Sequence, residues 1–377
     1  MALRSLLSGA VLLTAVLCGG TMLRAEEAAA SGRWSEQKAA AWLKDHGWLR
    51  GCNFMPSTAI NQLEMWQAET FDEKTIDREL GWASDLGFNS MRVFLHDLPY
   101  QQDPQAYLAR LDKFLAIAAK HRIGILFVLF DSCWDPEPKL GPQHAPKPGL
   151  HNSGWVQSPG KAVLEDPAKQ AHLEGYVKGV VGQFKNDKRI VGWDVWNEPD
   201  NDNASSYGKL EPKNKTDLVL PLMTKAFAWA RAAGATQPLT SGVWKGTWGD
   251  PAKLSPMEKA QIELSDVISY HCYGKLDNMK ECVANLRRYH RPLLCTEYMS
   301  RGSGSTFDPH LGYLKGESVA AYNWGFVSGK TQTIYPWDSW QKPYDGEPPV
   351  WFHDILRADG KPYRPEEAAY LRKTMGK

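Results

Sequence analysis

No sign of charge dominates this chain of 377 residues, in which 44 lysines and arginines stand against 43 aspartates and glutamates. A polyanion-binding surface has no compositional support, so no nucleic-acid partner is expected. Low-complexity tracts, internal repeats and domain linkers are missing as well. There is no C-x-x-C, which speaks against a structural zinc site. There is no H-E-x-x-H and no H-x-H, so the usual signature of a metallohydrolase is lacking. Neither a metal nor a cofactor is expected. No glycine-rich phosphate turn follows the first apolar segment, which disfavours an open doubly wound sheet. Nothing in the pattern signals an oligomeric state.

What the chain does carry begins with an export signal. Arg4 supplies the positive start, Leu6–Cys18 is mostly apolar, and a small-residue exit leads to a plausible cleavage point at Ala25. The apolar run is too short for a bilayer-spanning helix. Residues 1–25 are therefore read as a signal peptide and 26–377 as one exported domain, periplasmic or extracellular, with no stable membrane insertion after cleavage. Beyond Cys18 five cysteines remain, Cys52, Cys133, Cys272, Cys282 and Cys295. An odd number leaves at least one unpaired, and the spacing identifies no disulfide. Tryptophan is abundant, at 16 residues, which points to aromatic surfaces lining a cleft as well as to core packing.

Apolar runs alternate with amphipathic segments along the chain. Strands are expected at 48–55, 88–95, 123–130, 190–196, 238–243, 267–273, 292–297 and 320–326. All are short and rich in branched and aromatic residues, as strands covered on both faces should be. Helices are expected at 35–46, 72–86, 104–122, 166–187, 217–234, 275–290 and 365–375, and 26–33 as a short leader. Such alternation in one α/β chain predicts a (β/α)8 TIM barrel, with the proline-rich stretch 135–160 as a long loop on the face that carries chemistry.

Two of these strands end in glutamate. Asp194-Val195-Trp196-Asn197-Glu198-Pro199 places an amide and a carboxyl at the end of the fourth strand, and Leu293-Leu294-Cys295-Thr296-Glu297-Tyr298 ends the seventh in the same way. Apolar surroundings raise a carboxyl pKa and suit it to general-acid work. Two carboxyls facing each other across a barrel mouth at about 5 Å suit double-displacement glycoside hydrolysis, whereas a wider gap suits direct inversion.

With these motifs the chain resembles the retaining glycosidases of the clan A barrel superfamily, most nearly glycoside hydrolase family 5, over nearly the whole mature length. The resemblance implies Glu198 as acid/base, Glu297 as nucleophile and Asn197 as a hydrogen-bond partner of a sugar hydroxyl. It implies Arg92, in Asn89-Ser90-Met91-Arg92, as a bidentate partner that keeps Glu297 ionised. His271 and Tyr273 match the pair that ends strand six, and Trp324 matches the strand-eight floor. Asn53, in Gly51-Cys52-Asn53-Phe54, is expected to hold a sugar hydroxyl. One departure stands out, since family members often have a histidine at the end of strand three, where this chain reads Phe130-Asp131-Ser132-Cys133-Trp134. Asp131 and Trp134 are expected to take over that sugar subsite. The expected activity is retaining hydrolysis of β-linked oligo- or polysaccharides, cellulase-, mannanase- or xylanase-like, on a carbohydrate substrate. An exo-acting β-glycosidase on short glycans and a non-catalytic carbohydrate-binding barrel remain as alternatives, and the sugar and linkage are open.

Overall fold

A computed structural model describes residues 32–377; the expected signal segment, Cys18 and residues 26–31 lie outside the described residues. Eight parallel strands form one sheet: β1 (Arg50–Asn53), β2 (Ser90–Phe94), β3 (Gly124–Asp131), β4 (Ile190–Asn197), β5 (Leu239–Thr240), β6 (Ile268–His271), β7 (Leu293–Tyr298) and β8 (Ala320–Asn323). Their order is β5-β4-β3-β2-β1-β8-β7-β6. The remaining seam, between β5 and β6, is a single parallel bridge from Val243 to Tyr270. The amide of Val243 donates to Ser269 O and that of His271 to Val243 O. The (β/α)8 barrel expected from the alternation is thus the observed fold; five strands lie inside their expected segments, and β3, β4 and β7 each run one residue past theirs. Strands β2 and β4 are buried along their whole length, which is why they read as continuous apolar runs.

Helix ends follow local chemistry. Ser35 caps Glu36–His46 by accepting from Lys38 N. Asp72 caps Glu73–Leu86, which ends at Gly87 in a left-handed conformation, φ 101°. Pro104 follows the Asp103 cap and opens Pro104–Lys120, where its missing N–H costs no helix bond. Two crossover helices escaped the sequence reading. Pro256–Leu264, after β5, buries a polar Gln261 beside Met257 and Ile262, so its apolar stripe is thin. Phe307–Gly316, after β7, is broken at Asp308.

The bottom of the barrel is closed by Trp34 and the helix Glu36–His46. Trp34, Ala39 and Trp42 pack against Leu126, Val191, Val267, Leu294, Ala320 and Tyr322. The Trp42 indole donates to Val191 O at 3.1 Å, so its one polar atom is satisfied in the core. With that end sealed, only the opposite rim, where the strands end, is left for a ligand. All five cysteines among the described residues are free and buried.

Trp42→Ala should open a cavity in this plug and cost about 3–5 kcal/mol of stability. A urea-denaturation midpoint read by far-UV circular dichroism measures it. A loss below about 1 kcal/mol would mean that the plug is not part of the folded core.

Candidate active site

Arg92 sits fully buried in the barrel mouth, and each of its five N–H donors has an acceptor. Nε and Nη2 both donate to Asp194 Oδ2, at 3.0 and 2.8 Å. Nη2 also reaches Asn197 Oδ1 at 2.7 Å, and Nη1 serves Asn53 Oδ1 at 2.8 Å and Glu297 Oε1 at 2.9 Å. Burial works against the guanidinium's charge, but the carboxylates of Asp194 and Glu297 outweigh it and move the Arg92 pKa up. The two-nitrogen grip expected on Glu297 goes instead to Asp194, and Glu297 receives one bond. Asp194 was quoted in the strand-four motif without a role. Its signal was there: a charged residue inside an otherwise apolar strand needs a buried partner.

Glu297 and Glu198 face each other. A carboxylate oxygen from each, with a ring nitrogen of His271, lie within 4.8 Å of one another. The β6–β7 register slips between Tyr270 and His271, which sets His271 opposite Glu297; irregularities of this kind re-aim side chains at strand ends. Tyr273 donates its hydroxyl to Glu297 Oε2 at 2.8 Å. His271 Nδ1 is 2.8 Å from Glu198 Oε1, and its Nε2 is 3.6 Å from Glu297 Oε1. Burial holds the His271 pKa down at about 4, so at neutral pH the ring is uncharged and carries one proton. On Nδ1 that proton is donated to ionised Glu198. On Nε2 it faces Glu297, and Nδ1 then accepts from protonated Glu198.

Two residues missed in the sequence complete the surroundings of Glu198. The Cys133 thiol donates to Glu198 Oε2 at 3.2 Å, and Asn201 Nδ2 donates to the same oxygen at 2.6 Å. Burial pushes the Cys133 pKa well up, with the charge of Glu198 adding to it, so the group is a thiol and a donor. No spacing rule points to either residue, because both lie on irregular loops. Glu198 itself adopts φ 42°, a left-handed conformation that costs a non-glycine residue about 1–3 kcal/mol. That turn ends β4 and lifts the carboxyl out of the strand.

Burial raises the pKa of both carboxyls. Their partners differ in kind. Glu297 touches a permanent cation, which favours its ionised form, whereas Glu198 touches only neutral donors.

The remaining candidates divide between scaffold and wall. Asp131 is 1% exposed. Its Oδ1 accepts from Asn197 Nδ2 and Cys133 N, and its Oδ2 from Trp155 Nε1 and Gln62 Nε2. With four protein donors it orients the mouth rather than presenting a free carboxylate. Asn53 gives its two amide hydrogens to Thr296 O and Asn323 O, leaving none for a sugar. Asn197 donates to Asp131 and the Cys133 sulfur, so a sugar hydroxyl would have to compete with that thiol. Trp134 is half-buried and stacks on Trp340, ring centres 5.5 Å apart at 18°. Trp324, 8% exposed, packs edge-on to Phe94 and against Trp155.

The chain matches a family model described as cellulase (glycosyl hydrolase family 5) over residues 56–324. No curated protein sequence matches it. Among solved structures, a β-1,4-mannanase from the sea hare Aplysia kurodai superposes with a TM-score of 0.53 at 17% identity, covering 74% of this chain and 87% of that one. An exo-β-1,4-mannosidase from Opitutaceae bacterium strain TAV5 gives 0.55 at 16%, covering 88% and 60%. A β-mannanase from the blue mussel Mytilus edulis gives 0.52 at 17%, covering 78% and 89%. At these identities the likeness is one of fold.

Arg92→Lys supplies three donors where five are in use, leaving at least two buried acceptors bare. Stability should drop by about 3–5 kcal/mol, and in the neutral variant Arg92→Gln, which removes the cation, the Glu297 carboxyl should titrate at higher pH. Carbon-13 NMR of glutamate-labelled protein reads the titration; an unmoved Glu297 resonance would sink the charge argument.

Proposed function

The chain belongs to glycosyl hydrolase family 5, and on that footing we propose that it cleaves β-linked glycans with retention of configuration, Glu297 acting as nucleophile and Glu198 as acid/base. The observation that carries this reading is the pair of carboxyls within 4.8 Å, one held by a buried cation and the other by neutral donors. So short a gap leaves no space for a water between the anomeric carbon and a base. Glu297, kept ionised by Arg92 and steadied by Tyr273, attacks that carbon. Glu198, protonated, delivers its proton to the departing oxygen. The glycosyl ester cancels the Glu297 charge, which lowers the Glu198 pKa and lets the same carboxylate draw a proton from the incoming water. Its three donors, His271, Cys133 and Asn201, stabilise it in that ionised state. Glu297→Ala should lower turnover by several orders of magnitude in a protein that still folds. Proton NMR should show the β-anomer of the released sugar first from a β-glycoside. A first-formed α-anomer would remove Glu297 from the nucleophile's role.

The pH dependence follows with its signs. Turnover falls as pH drops through the Glu297 pKa, because the nucleophile protonates, and as pH rises through the Glu198 pKa, because the acid ionises. Burial moves both limbs upward from the ordinary carboxyl range. The Cys133 thiol favours ionised Glu198 and so lowers its pKa. Cys133→Ala should shift the alkaline limb of kcat/KM to higher pH, and a limb that stays put or moves down would deny the thiol this influence.

Glu198, His271 and Glu297 also present ligand atoms close enough to share a cation, which keeps a metal-assisted reading in view. Full rate after exhaustive EDTA treatment is expected for the two-carboxyl mechanism. Loss of rate restored by zinc favours the other. The basic start and the run Leu6–Cys18 support export, with 26–377 as the single mature domain; N-terminal sequencing of protein recovered outside the cytoplasm checks the cleavage point.

A further inference from the structure

The loops beyond β1, β3 and β8 are knitted into one wall. Residues 149–160 follow no regular secondary structure, yet every one is buried. What buries them is the long segment after β8. Asn152 N donates to Thr331 O and Tyr344 N to Gly149 O. His151 N reaches Ser339 Oγ at 3.0 Å, and the Trp340 indole donates to His151 O at 2.8 Å. Gln332 Nε2 bonds the carbonyls of Lys147 and Leu150. At Gly149, φ 72°, a Cβ would fall 1.9 Å from Tyr344 O, so the two backbones meet as closely as glycine allows. The β1 loop joins through Lys330 N to Ser57 O and Asn61 Nδ2 to Gly154 O. A pocket lined by Asn53, Phe94, Trp155, Trp324, Thr333 and Asp354 among others offers about 20 Å³. That holds a water molecule and not a sugar ring.

On the other side the rim is low at β6. Only Cys272–Lys275 separate β6 from its helix, which starts at Leu276. Past β5 stand a half-buried Trp244, whose indole is held by Asp200 Oδ1 at 2.6 Å, and an exposed Lys245.

From this asymmetry we propose that the site is a blind pocket for one non-reducing terminal sugar, so that the enzyme trims short β-linked oligosaccharides from their ends. The direction rests on the assignment of Glu297 and Glu198. The ring under attack lies over Glu297, Tyr273 and Trp324, and the leaving group lies on the Glu198 side. Any further sugar on the glycone would have to run over the ends of β8, β1 and β2, where the wall stands. The aglycone leaves toward β5 and β6, past Trp244.

Cello-, manno- and xylohexaose test this, each free and with a 4-O-methyl group on the non-reducing terminal sugar. The parent enzyme should shorten the free form it accepts by one sugar at a time. The capped form should resist cleavage and bind Glu297→Gln enzyme more than about tenfold more weakly, by calorimetry. First products of two to four sugars, or equal binding of capped and free forms, overturn the pocket while leaving the carboxyl pair standing. Discrimination against the cap with no cleavage of any hexaose upholds the pocket and removes the catalytic assignment instead.

Discussion

One buried guanidinium holds the mouth of this barrel together. Arg92 rises from β2 and reaches Asn53 on β1, Asp194 and Asn197 on β4, and Glu297 on β7. Those strands are distant in sequence and meet only because the sheet closes. The same region buries four carboxyl groups, Asp131, Asp194, Glu198 and Glu297, each pushed by desolvation toward its protonated form. Arg92 bonds two of these four acids directly, and the buried Lys215 nearby is paired with Glu211. Which carboxyl stays ionised is therefore set by distance to Arg92 and by the count of neutral donors around the rest.

That division gives two like side chains unlike surroundings. Glu297 is fixed by a cation and a phenol. Glu198 is ringed by an imidazole, a thiol and an amide that can favour its ionised state without forcing it. His271 touches both and stays neutral down to about pH 4, so it can change tautomer without adding a charge. Asp194 and Asp131 act at one remove. The first orients Arg92, and the second orients Asn197 and Trp155.

The barrel was legible because both faces of its strands are covered, which writes long apolar runs into the sequence. Glu198, Glu297, Arg92, His271 and Tyr273 were legible as a group because polar residues at the ends of such runs have few other reasons to be there. The hydrogen-bond ledger was not legible. Asn53 and Asp131 stand at strand ends as sugar-binding residues would, and only the structure reveals that protein donors and acceptors already occupy them. Arg92 was matched to Glu297 because the sequence gives the face on which a side chain lies but not the number of neighbours competing for it. Cys133 and Asn201 lie on turns whose path depends on contacts with other loops, so no periodicity could mark them. The helices Pro256–Leu264 and Phe307–Gly316 were hidden for opposite reasons, one by a buried polar residue and the other by a break in its backbone.

The plug at the bottom of the barrel bears on how the chain is made. Trp34 and Trp42 leave the ribosome early, yet they pack on Val267, Leu294 and Ala320, which are synthesised near the end. Trp48 likewise donates its indole to Val319 O, and β1 pairs with β8. Until the last strand emerges, the Trp48 indole lacks its acceptor and the first strand has an open edge. Contacts this remote in sequence form slowly. Before the barrel closes, the chain keeps that edge and its apolar strands open to holdase chaperones.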